Sequence, residues 1–476
     1  MPDILDFVQR LLLARSISYT GKRASLLASF VAEEESIDAF DKILINQDIL
    51  IHRFMKKVKI FDIINMHLQI PNATVNKYYE CKIDLEKLGN NEIEYTGIKD
   101  IELYGLEYSK EKGVLSGIPI KSGDFKLSFL FRMIGENENE PLHVKPISFI
   151  INADPKSLWN DIPSAENKDD EWKIKKYWKP DTIEDFQPLG DKHIVVASKR
   201  GRSHANVGSF RDDDYAFKHF EETGWSIVCV ADGAGSARLS RQGSKIACQG
   251  IIDYFEENLK GDDFIQFDAL IEEYSLNAGD EIQKKLNLFL YTNLGKAAFS
   301  VHKKLEEFAN KLECSIKDLH STLIFSLFRK YEFGYAILTF GVGDCPIGLL
   351  NKDLSEIKLM NWLDVGEFGG GTRFITMPEI FSSDKFQTRF GFKLIKDFSY
   401  LILMTDGIYD PKFIVEANLE KLDKWKEFLG DLGGNNEENI KIEFTASDTE
   451  IAHKLSSWMD FWSPGNHDDR TLAIVF

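Results

Sequence analysis

The stretch from Ser226 to Ala247 constrains the fold more than any other part of this chain. It begins with the apolar, β-branched residues of a buried strand and resumes, after a glycine-rich turn, with residues that favour a helix. Asp232 and Gly233 open that turn. Glycine lets the backbone come close to a ligand because no Cβ occupies the space. The pattern predicts a strand that delivers a carboxylate to a binding site, although a lone Asp-Gly pair is also typical of an ordinary turn.

The same arrangement recurs further along the chain. Apolar runs precede Asp344 and Asp406, while Asp468 and Asp469 stand directly before the last apolar run. A further acidic cluster covers residues 212–214. Carboxylate oxygens are ligands that Mg²⁺ and Mn²⁺ prefer, and no nearby His or Cys pair favours zinc. Because like charges repel each other without cations, aspartates at several predicted strand ends indicate an oxygen-ligand metal site.

The composition predicts a soluble globular protein with two or three domains. Of the 476 residues, 43% are hydrophobic and 28% charged, and no apolar run approaches the roughly 20 residues that cross a bilayer. The N-terminus does not resemble a signal peptide, so we expect a cytoplasmic protein without a membrane anchor. A formal net charge of −18 opposes nucleic-acid binding. The five scattered cysteines argue against a disulfide framework and against a zinc site.

Four segments differ in their residue patterns. Residues 1–71 have apolar residues at three- and four-residue spacing, which predicts a small helical segment for packing or partner binding. Residues 72–151 alternate apolar and polar residues, as β-strands do. Residues 152–188 are rich in charge, Pro and Trp, which indicates a linker that packs in part against a neighbouring domain. Residues 189–476 mix strands with two helical blocks, which predicts an α+β layered sandwich rather than a doubly wound sheet.

The second segment carries a recognisable series of turns. A Gly-Val-Leu-Ser-Gly-Ile-Pro run ends at Pro119, a Ser-Gly-Asp turn follows, and apolar residues then alternate from Phe125 to Phe131. This series resembles the immunoglobulin-like β-sandwich repeats of bacterial proteins, over about Val75 to Ile151. The resemblance implies a module that binds or spaces other domains and has no chemistry of its own.

Short motifs follow one another between Lys192 and Phe476. In chain order they are Gly201-Arg202-Ser203-His204, Asp213-Asp214, Val230 to Ser236, Ser321-Thr322, Gly343-Asp344, Thr405-Asp406-Gly407 and Asp468-Asp469-Arg470-Thr471. This order resembles that of the metal-dependent protein phosphatases of the type-2C family, in a bacterial branch. The resemblance implies a layered α-β-β-α sandwich over residues 189–476, preceded by the helical segment and the β-sandwich module.

The resemblance also implies roles for the acidic positions. Asp232 corresponds to the aspartate that bridges two metal ions, and the carbonyl of Gly233 corresponds to a further ligand. Asp406 and Asp468 correspond to the carboxylates of the more deeply held ion. The implied cofactors are two or three Mg²⁺ or Mn²⁺ ions.

Three more aspartates have implied roles. Asp213 and Asp214 stand where the family has an acidic pair, usually Glu-Asp, that organises the other ion. The adjoining Asp212 leaves the register of that pair open by one residue. Asp344 corresponds to an aspartate that holds a weaker third ion together with Asp406.

The phosphate-binding residue departs from the family pattern. The family's arginine that grips the substrate phosphate is usually followed after a short spacing by the acidic pair. Here His204 stands nearest that position and Arg202 lies close by. We therefore expect Arg202 or His204 to contact phosphate and to act with Asp232 as the catalytic residues. The segment from Asp364 to Thr376 falls where the family carries a mobile flap beside the active site.

Two functions of different classes agree with these motifs. The first is a serine/threonine protein phosphatase, in which a metal-activated water attacks the phosphorus of a phosphorylated protein and a cognate serine/threonine kinase is the implied partner. The second is a catalytically silent scaffold that keeps the fold and engages partners through its N-terminal half. Because every expected metal position is acidic, the sequence favours the enzyme. A metal-dependent nuclease is disfavoured by the negative net charge.

Overall fold

The computed structural model describes residues 3–83, 92–164, 177–364, 371–463 and 465–476. The chain divides into two compact units, Met1–Leu158 and Trp159–Phe476. Each unit has its own apolar core. Among the described helices, none combines the length and the apolar character that a membrane crossing requires.

The first unit begins with three helices. They are α1 (Ile4–Ala14), α2 (Arg23–Phe30) and α3 (Glu34–Asn65). The Asp3 side chain caps α1 by accepting a hydrogen bond of 3.0 Å from the Leu5 N–H. The rings of Phe7 and Phe40 pack edge to face with their centroids 5.2 Å apart, which joins α1 to the first turns of α3.

Seven strands follow in the described part of this unit. They are β1 (Ala73–Thr74), β2 (Tyr79–Lys82), β3 (Ile93–Lys99), β4 (Leu106–Ser109), β5 (Val114–Gly117), β6 (Gly123–Met133) and β7 (His143–Asn152). One sheet has the order β1-β7-β6-β3 and the other β2-β5-β4. The alternation predicted for β6 is confirmed, because Leu127, Phe129 and Phe131 are buried while the residues between them are not. Their cluster includes Leu106 and Leu115, so apolar side chains of both sheets form one core.

A buried lysine fixes α3 to this core. The Nζ of Lys145, on β7, donates hydrogen bonds to the carbonyls of Ile63 (2.8 Å), Ile64 (3.0 Å) and Met66. These carbonyls belong to the last turn of α3, which has no intrahelical donors for them. The ammonium also interacts favourably with the negative end of the helix dipole. Lys145 therefore anchors the C-terminal end of α3 on the sheet.

The second unit contains eleven strands in its described part. They are β8 (Thr182–Leu189), β9 (Lys192–Lys199), β10 (Asp214–Phe220), β11 (Trp225–Ala231), β12 (Leu323–Tyr331), β13 (Gly334–Val342), β14 (Ile347–Asn351), β15 (Ile357–Leu359), β16 (Phe390–Ile395), β17 (Phe398–Met404) and β18 (Arg470–Val475). A five-stranded sheet has the order β10-β11-β12-β13-β16, and a six-stranded sheet the order β15-β14-β17-β18-β9-β8. All these neighbours pair antiparallel.

Helices of this unit come from four parts of the chain. They are α4 (Arg202–Val207), α5 (Ser240–Asn258), α6 (Asp262–Leu276), α7 (Asp280–Lys311), α8 (Glu379–Ser382), α9 (Asp406–Phe413), α10 (Leu422–Leu432) and α11 (Ile451–Trp458). One apolar cluster joins the five-stranded sheet to α5, α6 and α7, and another joins the six-stranded sheet to α9, α10 and α11. A third cluster joins residues of both sheets. The mixed α+β class predicted from the sequence is confirmed.

The burial of β11 on both faces explains its continuous apolar run. Successive side chains of a strand point to opposite faces of its sheet. Ile227 and Cys229 belong to the cluster shared with the helices, whereas Val228 and Val230 belong to the cluster shared with the other sheet. From Ile227 to Ala231 both faces of β11 are buried and carry apolar side chains, and Asp232 follows directly beyond the end of the strand.

The structure differs from the linker predicted for residues 152–188. Within that range, β8 pairs with β9 from Thr182 to Leu189 and belongs to the six-stranded sheet. The strand is hard to recognise because it lies at the sheet edge, where Glu184 and Gln187 are tolerated next to solvent. Residues 165–176 of the predicted linker lie outside the described part of the chain.

Candidate metal centre

Antiparallel pairing brings the predicted aspartates of each sheet to one edge. In such a sheet a strand ends where its neighbour begins. Asp214, at the start of β10, pairs with Ala231 at the end of β11, so Asp213 and Asp232 follow side by side. In the six-stranded sheet, Met404 pairs with Leu472, so the end of β17 lies beside the beginning of β18.

Backbone contacts connect the turn after β11 to the next strand. The Asp232 N–H donates to the Thr322 Oγ1 (2.9 Å), and the Thr322 N–H donates to the Asp232 carbonyl (2.8 Å). Gly233 forms an isolated bridge with Ser321. A Cβ at Gly233 would lie 2.6 Å from the Asp212 carbonyl oxygen, so only glycine fits this close approach. The Ser321-Thr322 motif thus holds the backbone that carries Asp232.

Aspartates from the edges of both sheets form one cluster. We refer to them as the aspartate cluster: Asp213, Asp232, Asp344, Asp406 and Asp468. Burial and then the negative charges of the other four members raise the pKa of Asp232 well above its usual range. Burial and the charges of Asp468, Asp344 and Asp213 raise the pKa of Asp406 in the same way. The carboxylates therefore repel one another across the two sheets.

Asp213 lies deepest in the cluster. It is fully buried, and burial together with the charges of Asp469 and Asp468 raises its pKa to about 7. Its Oδ2 accepts hydrogen bonds from the hydroxyls of Thr405 (2.9 Å) and Thr471 (2.8 Å). Those two threonines come from the ends of β17 and β18, and they fix the orientation of the Asp213 carboxylate.

Three carboxylate oxygens of the cluster are buried without a hydrogen-bond partner among the described residues. They are the Oδ1 atoms of Asp213, Asp344 and Asp406. Buried polar atoms almost always have partners, so carboxylate oxygens without a hydrogen-bond donor are suited to bind a cation. Charged, oxygen-only donors suit Mg²⁺ or Mn²⁺ rather than zinc. The residues present therefore fit a hard divalent cation.

Asp214, the second member of the predicted acidic pair, lies apart from the cluster. Its Oδ2 forms an ion pair of 2.9 Å with the Nζ of Lys179, and both side chains are buried. The same Nζ donates to the Asp213 carbonyl (2.7 Å) and to the Ser244 hydroxyl (3.3 Å). Burial lowers the pKa of Lys179, while the charge of Asp214 opposes that shift. Asp213 thus enters the cluster, and Asp214 binds a lysine behind it.

A buried arginine supports the same backbone. The Nη1 of Arg211 donates to the Asp213 carbonyl and to the Ser198 hydroxyl, both at 2.6 Å. Its Nε donates to the carbonyl of Pro180 at 3.0 Å. Lys179 and Arg211 therefore place two cations behind the carbonyl of Asp213, and both hold the start of β10 in position.

His204 lies next to the turn that carries Asp232. Its Nδ1 is 3.0 Å from the Asp469 Oδ1, and its Nε2 is 3.7 Å from the Asp212 Oδ2. Burial disfavours the charged ring, but the charges of Asp469 and Asp212 outweigh it and raise the pKa of His204 to about 10. A Cβ added at Gly235 would lie 3.3 Å from the Nε2. The structure thus brings a cationic His204 to the glycine-rich turn.

Arg202 has a different environment. Its guanidinium donates to the carbonyls of Asp460 (2.9 Å) and Phe461 (3.2 Å) and lies 5.3 Å from the centre of the Trp462 ring. These contacts connect the start of α4 to the loop that follows α11. Of the two residues predicted to contact phosphate, Arg202 therefore binds loop carbonyls, whereas His204 lies beside the turn that carries Asp232.

The ends of the predicted flap are attached near the cluster. Asp364 accepts hydrogen bonds from the Gly343 N–H (2.9 Å) and from the Arg389 guanidinium (2.5 and 2.9 Å). At the other end, the Thr372 hydroxyl donates to the Asp344 Oδ2 at 2.7 Å. Residues 365–370 of this segment lie outside the described residues.

The structure adds residues that sequence reasoning did not assign to the site. Lys179 and Arg211 support the backbone of Asp213, and Asp469 holds His204. The threonines at 405 and 471 fix the Asp213 carboxylate. Thr405, Thr471 and Asp469 stand inside the short motifs, which is the sequence signal that could have indicated them. No sequence pattern indicated Lys179.

An oxygen-ligand cluster at the edges of two sheets defines a candidate metal-dependent protein of mixed α+β fold. The family model described as protein phosphatase 2C matches residues 200–459, which is more than half of the chain. The chain therefore belongs to the protein phosphatase 2C family. A search of curated proteins finds no match.

Solved bacterial phosphatases are similar at low identity. The serine/threonine phosphatase Stp1 from Staphylococcus aureus matches at 15% identity, covering 62% of this chain and 96% of that chain, with a TM-score of 0.34. The serine/threonine phosphatase PstP/Ppp from Mycobacterium tuberculosis matches at 13% identity, covering 59% and 97%, with a TM-score of 0.32. The catalytic domain of PstP in complex with two manganese ions matches at 14% identity, covering 59% and 96%, with a TM-score of 0.37.

Proposed function

We propose that this chain is a metal-dependent phosphatase that hydrolyses phosphoserine and phosphothreonine in proteins. The observation that supports this best is the aspartate cluster, in which three buried oxygens have no hydrogen-bond partner among the described residues. Membership of the protein phosphatase 2C family supports the same function. The residues that would hold two or three Mg²⁺ or Mn²⁺ ions are Asp213, Asp232, Gly233, Asp344, Asp406 and Asp468.

The protein's own part in the reaction is to hold charges and orient ligands. Bound divalent cations would supply a water of lowered pKa and neutralise charge on the phosphoryl oxygens. Thr405 and Thr471 keep the Asp213 carboxylate in one orientation, and Thr322 holds the backbone of Asp232. His204 would add a positive charge for the phosphoryl group, because its Nε2 is beyond hydrogen-bond distance of Asp212 and lies beside the turn.

Removal of divalent metal is expected to abolish activity and to destabilise the protein at pH 8. Chelation leaves the carboxylates facing one another, and a ligand at one hundred times its Kd adds about 2.7 kcal/mol of stability. Initial rates on a phosphothreonine peptide and on p-nitrophenyl phosphate, together with thermal unfolding, measure both effects. Added Mn²⁺ or Mg²⁺ should restore both the activity and the stability. Full activity in excess chelator after dialysis contradicts the proposal.

His204→Ala is expected to raise KM for the phosphopeptide about tenfold or more, because the phosphoryl group loses a charge-assisted contact. Arg202→Ala should leave KM nearly unchanged and lower the thermal stability instead, since the contacts of Arg202 are with loop carbonyls. Steady-state kinetics and thermal unfolding of both variants separate the two roles. The opposite pattern, with KM raised by Arg202→Ala alone, would assign the phosphate contact to Arg202.

We also propose an architecture for each of the two units. The three apolar clusters of the second unit support a layered α-β-β-α sandwich. The two small sheets of the first unit support an immunoglobulin-like module that spaces or binds other domains. The substrate would be a phosphorylated protein, and a cognate serine/threonine kinase would supply it. We also propose a cytoplasmic location and no role in binding nucleic acid or membranes.

A further inference from the structure

Residues 159–162 pack on the second unit close to the aspartate cluster. They are the first residues of that unit, and they lie outside the region that the family model matches, which starts at residue 200. They belong to the Trp- and Pro-rich stretch for which the sequence predicts packing against a neighbouring domain. We name these four residues the 159–162 segment. Its contacts are therefore not part of the matched family region.

The first residue of the segment packs on the loop that precedes β18. The half-buried ring of Trp159 contacts the ring of His467, with the centroids 4.5 Å apart. His467 is followed by Asp468, a member of the aspartate cluster, and by Asp469. The Nδ1 of His204 lies 3.0 Å from the Asp469 Oδ1. Trp159 therefore contacts the loop that carries both a candidate metal ligand and the partner of His204.

The backbone of the same loop is joined to the first turn of α4. The His467 carbonyl accepts hydrogen bonds from the N–H and from the hydroxyl of Ser203, both at 3.1 Å. Ser203 directly precedes His204 in α4. A shift of the loop under Trp159 would therefore move the first turn of α4, and His204 would move with it.

The rest of the segment is hydrogen-bonded to the last turn of α4. The Asn160 N–H donates to the Asn206 Oδ1 (3.0 Å), and the Ile162 N–H donates to the Ala205 carbonyl (2.9 Å). Ala205 and Asn206 directly follow His204. The 159–162 segment therefore holds α4 on both sides of His204, through the loop before it and directly after it.

Arg200 fixes the segment to the end of β9. Its Nη1 donates to the carbonyls of Ile162 and Ser209, both at 3.1 Å, and its Nη2 donates to the Asp161 Oδ1 at 2.8 Å. The Arg200 side chain is only 5% exposed. Because a guanidinium donates in a fixed planar geometry, these bonds keep the segment in one position relative to the six-stranded sheet.

α4 depends on such contacts because it is short. It has six residues, and helices of that length are not stable in water without tertiary contacts. The position of His204 is therefore determined by the elements that touch α4 rather than by the hydrogen bonds within the helix.

From these contacts we infer that the 159–162 segment is a positioning element of the site, which fixes α4 so that His204 faces the phosphoryl group of the substrate. The inference rests on the proposed phosphate contact of His204. Trp159 and Ile162 are thus positioning residues, which act through His204 and do not touch the substrate. The phosphatase site would then depend on residues outside the matched family region.

The first test measures whether the segment holds α4, and it needs no activity. Hydrogen exchange of the α4 amides, measured by mass spectrometry on the full chain, should be about tenfold faster in Trp159→Ala and in Ile162→Pro. Ile162→Pro removes the N–H that binds Ala205, whereas the control Ile162→Ala keeps it. Trp159→Phe keeps a ring on His467 and should exchange like wild type. So should Trp178→Ala, which changes a tryptophan of the same stretch that is 47% exposed.

The second test measures whether the position of α4 affects substrate binding. Trp159→Ala should raise KM for the phosphothreonine peptide roughly fivefold, with kcat and the unfolding temperature nearly unchanged, and Trp159→Phe should have the wild-type KM. In a chain that already carries His204→Ala, Trp159→Ala should have no further effect on KM. The reason is that two residues that act on one contact are not additive.

Unchanged hydrogen exchange in both Trp159→Ala and Ile162→Pro overturns the inference. So does a lower unfolding temperature of Trp159→Ala with an unchanged KM, because the segment would then stabilise the fold only. A further rise of KM in the His204→Ala chain also overturns it, since Trp159 would then act independently of His204. A wild-type KM in His204→Ala, or a wild-type chain without activity, contradicts the proposed function instead, and the exchange rates alone then decide the positioning of α4.

Discussion

Asp232→Asn is expected to lower turnover by at least about a thousandfold, equivalent to roughly 4 kcal/mol, while the fold stays intact. Burial, and then the charges of the other carboxylates of the cluster, raise the pKa of Asp232. An amide offers a carbonyl oxygen but no negative charge, so paired occupancy by divalent cations should fall. Initial rates and a calorimetric titration with Mn²⁺ measure both consequences.

Without bound metal, the same variant is expected to be more stable than the wild-type protein. A carboxyl group whose pKa is raised on folding contributes stability that is present at low pH and lost as pH rises through its folded pKa. Asn has no such loss, so metal-free Asp232→Asn should unfold at a higher temperature than wild type at pH 8, with a smaller difference at pH 5. Asp262→Asn, at an exposed position in the first turn of α6, is the matched control and should change neither rate nor stability. Unchanged metal binding with near wild-type rates in Asp232→Asn would refute the metal role.

Lys179→Met is expected to destabilise the second unit by about 3–5 kcal/mol and to reduce activity with it. The substitution removes the partner of the buried Asp214 carboxylate and a donor to the Asp213 carbonyl. Because Asp213 is the deepest member of the aspartate cluster, displacement of its backbone should also weaken metal binding. Thermal unfolding and a Mn²⁺ titration measure the two effects.

Two further variants distinguish a charge effect from a loss of packing. Lys179→Met/Asp214→Asn should recover part of the stability, since no uncompensated charge is left buried. Lys218→Met removes a lysine of β10 that pairs with Glu256 on the surface, and it should change stability by less than about 0.5 kcal/mol. If Lys179→Met behaves like Lys218→Met, the buried pair does not support the site.

The sequence by itself determined the main elements that carry the site. The strand predicted at the start of the Ser226–Ala247 stretch is β11, the apolar runs before Asp344 and Asp406 are β13 and β17, and the last apolar run is β18. Apolar runs with both faces buried, each followed by Asp and Gly, are local signals that do not depend on distant partners. For the same reason the amino-acid pattern alone identifies Asp232, Asp344, Asp406 and Asp468 as candidate site residues.

The edge strands of the two sheets have no such local apolar pattern in the sequence. β8 and β10 lie at the edges of their sheets, where one side faces solvent and charged residues are tolerated. Thr182 to Leu189 therefore has the composition of a linker, although it pairs along its whole length with β9. Only its pairing in the assembled sheet identifies this segment as a strand.

The tertiary structure alone decided which of the neighbouring polar residues face the cluster. Asp213 and Asp214 are equivalent in sequence, but successive side chains of an extended backbone point in opposite directions, so Asp213 enters the cluster and Asp214 meets Lys179. Arg202 and His204 are likewise equal candidates in the sequence, and it is α4 that places His204 between Asp469 and Asp212. Local patterns determine where strands end, whereas the partners of a buried charge come from distant parts of the chain and exist only once the sheets have paired.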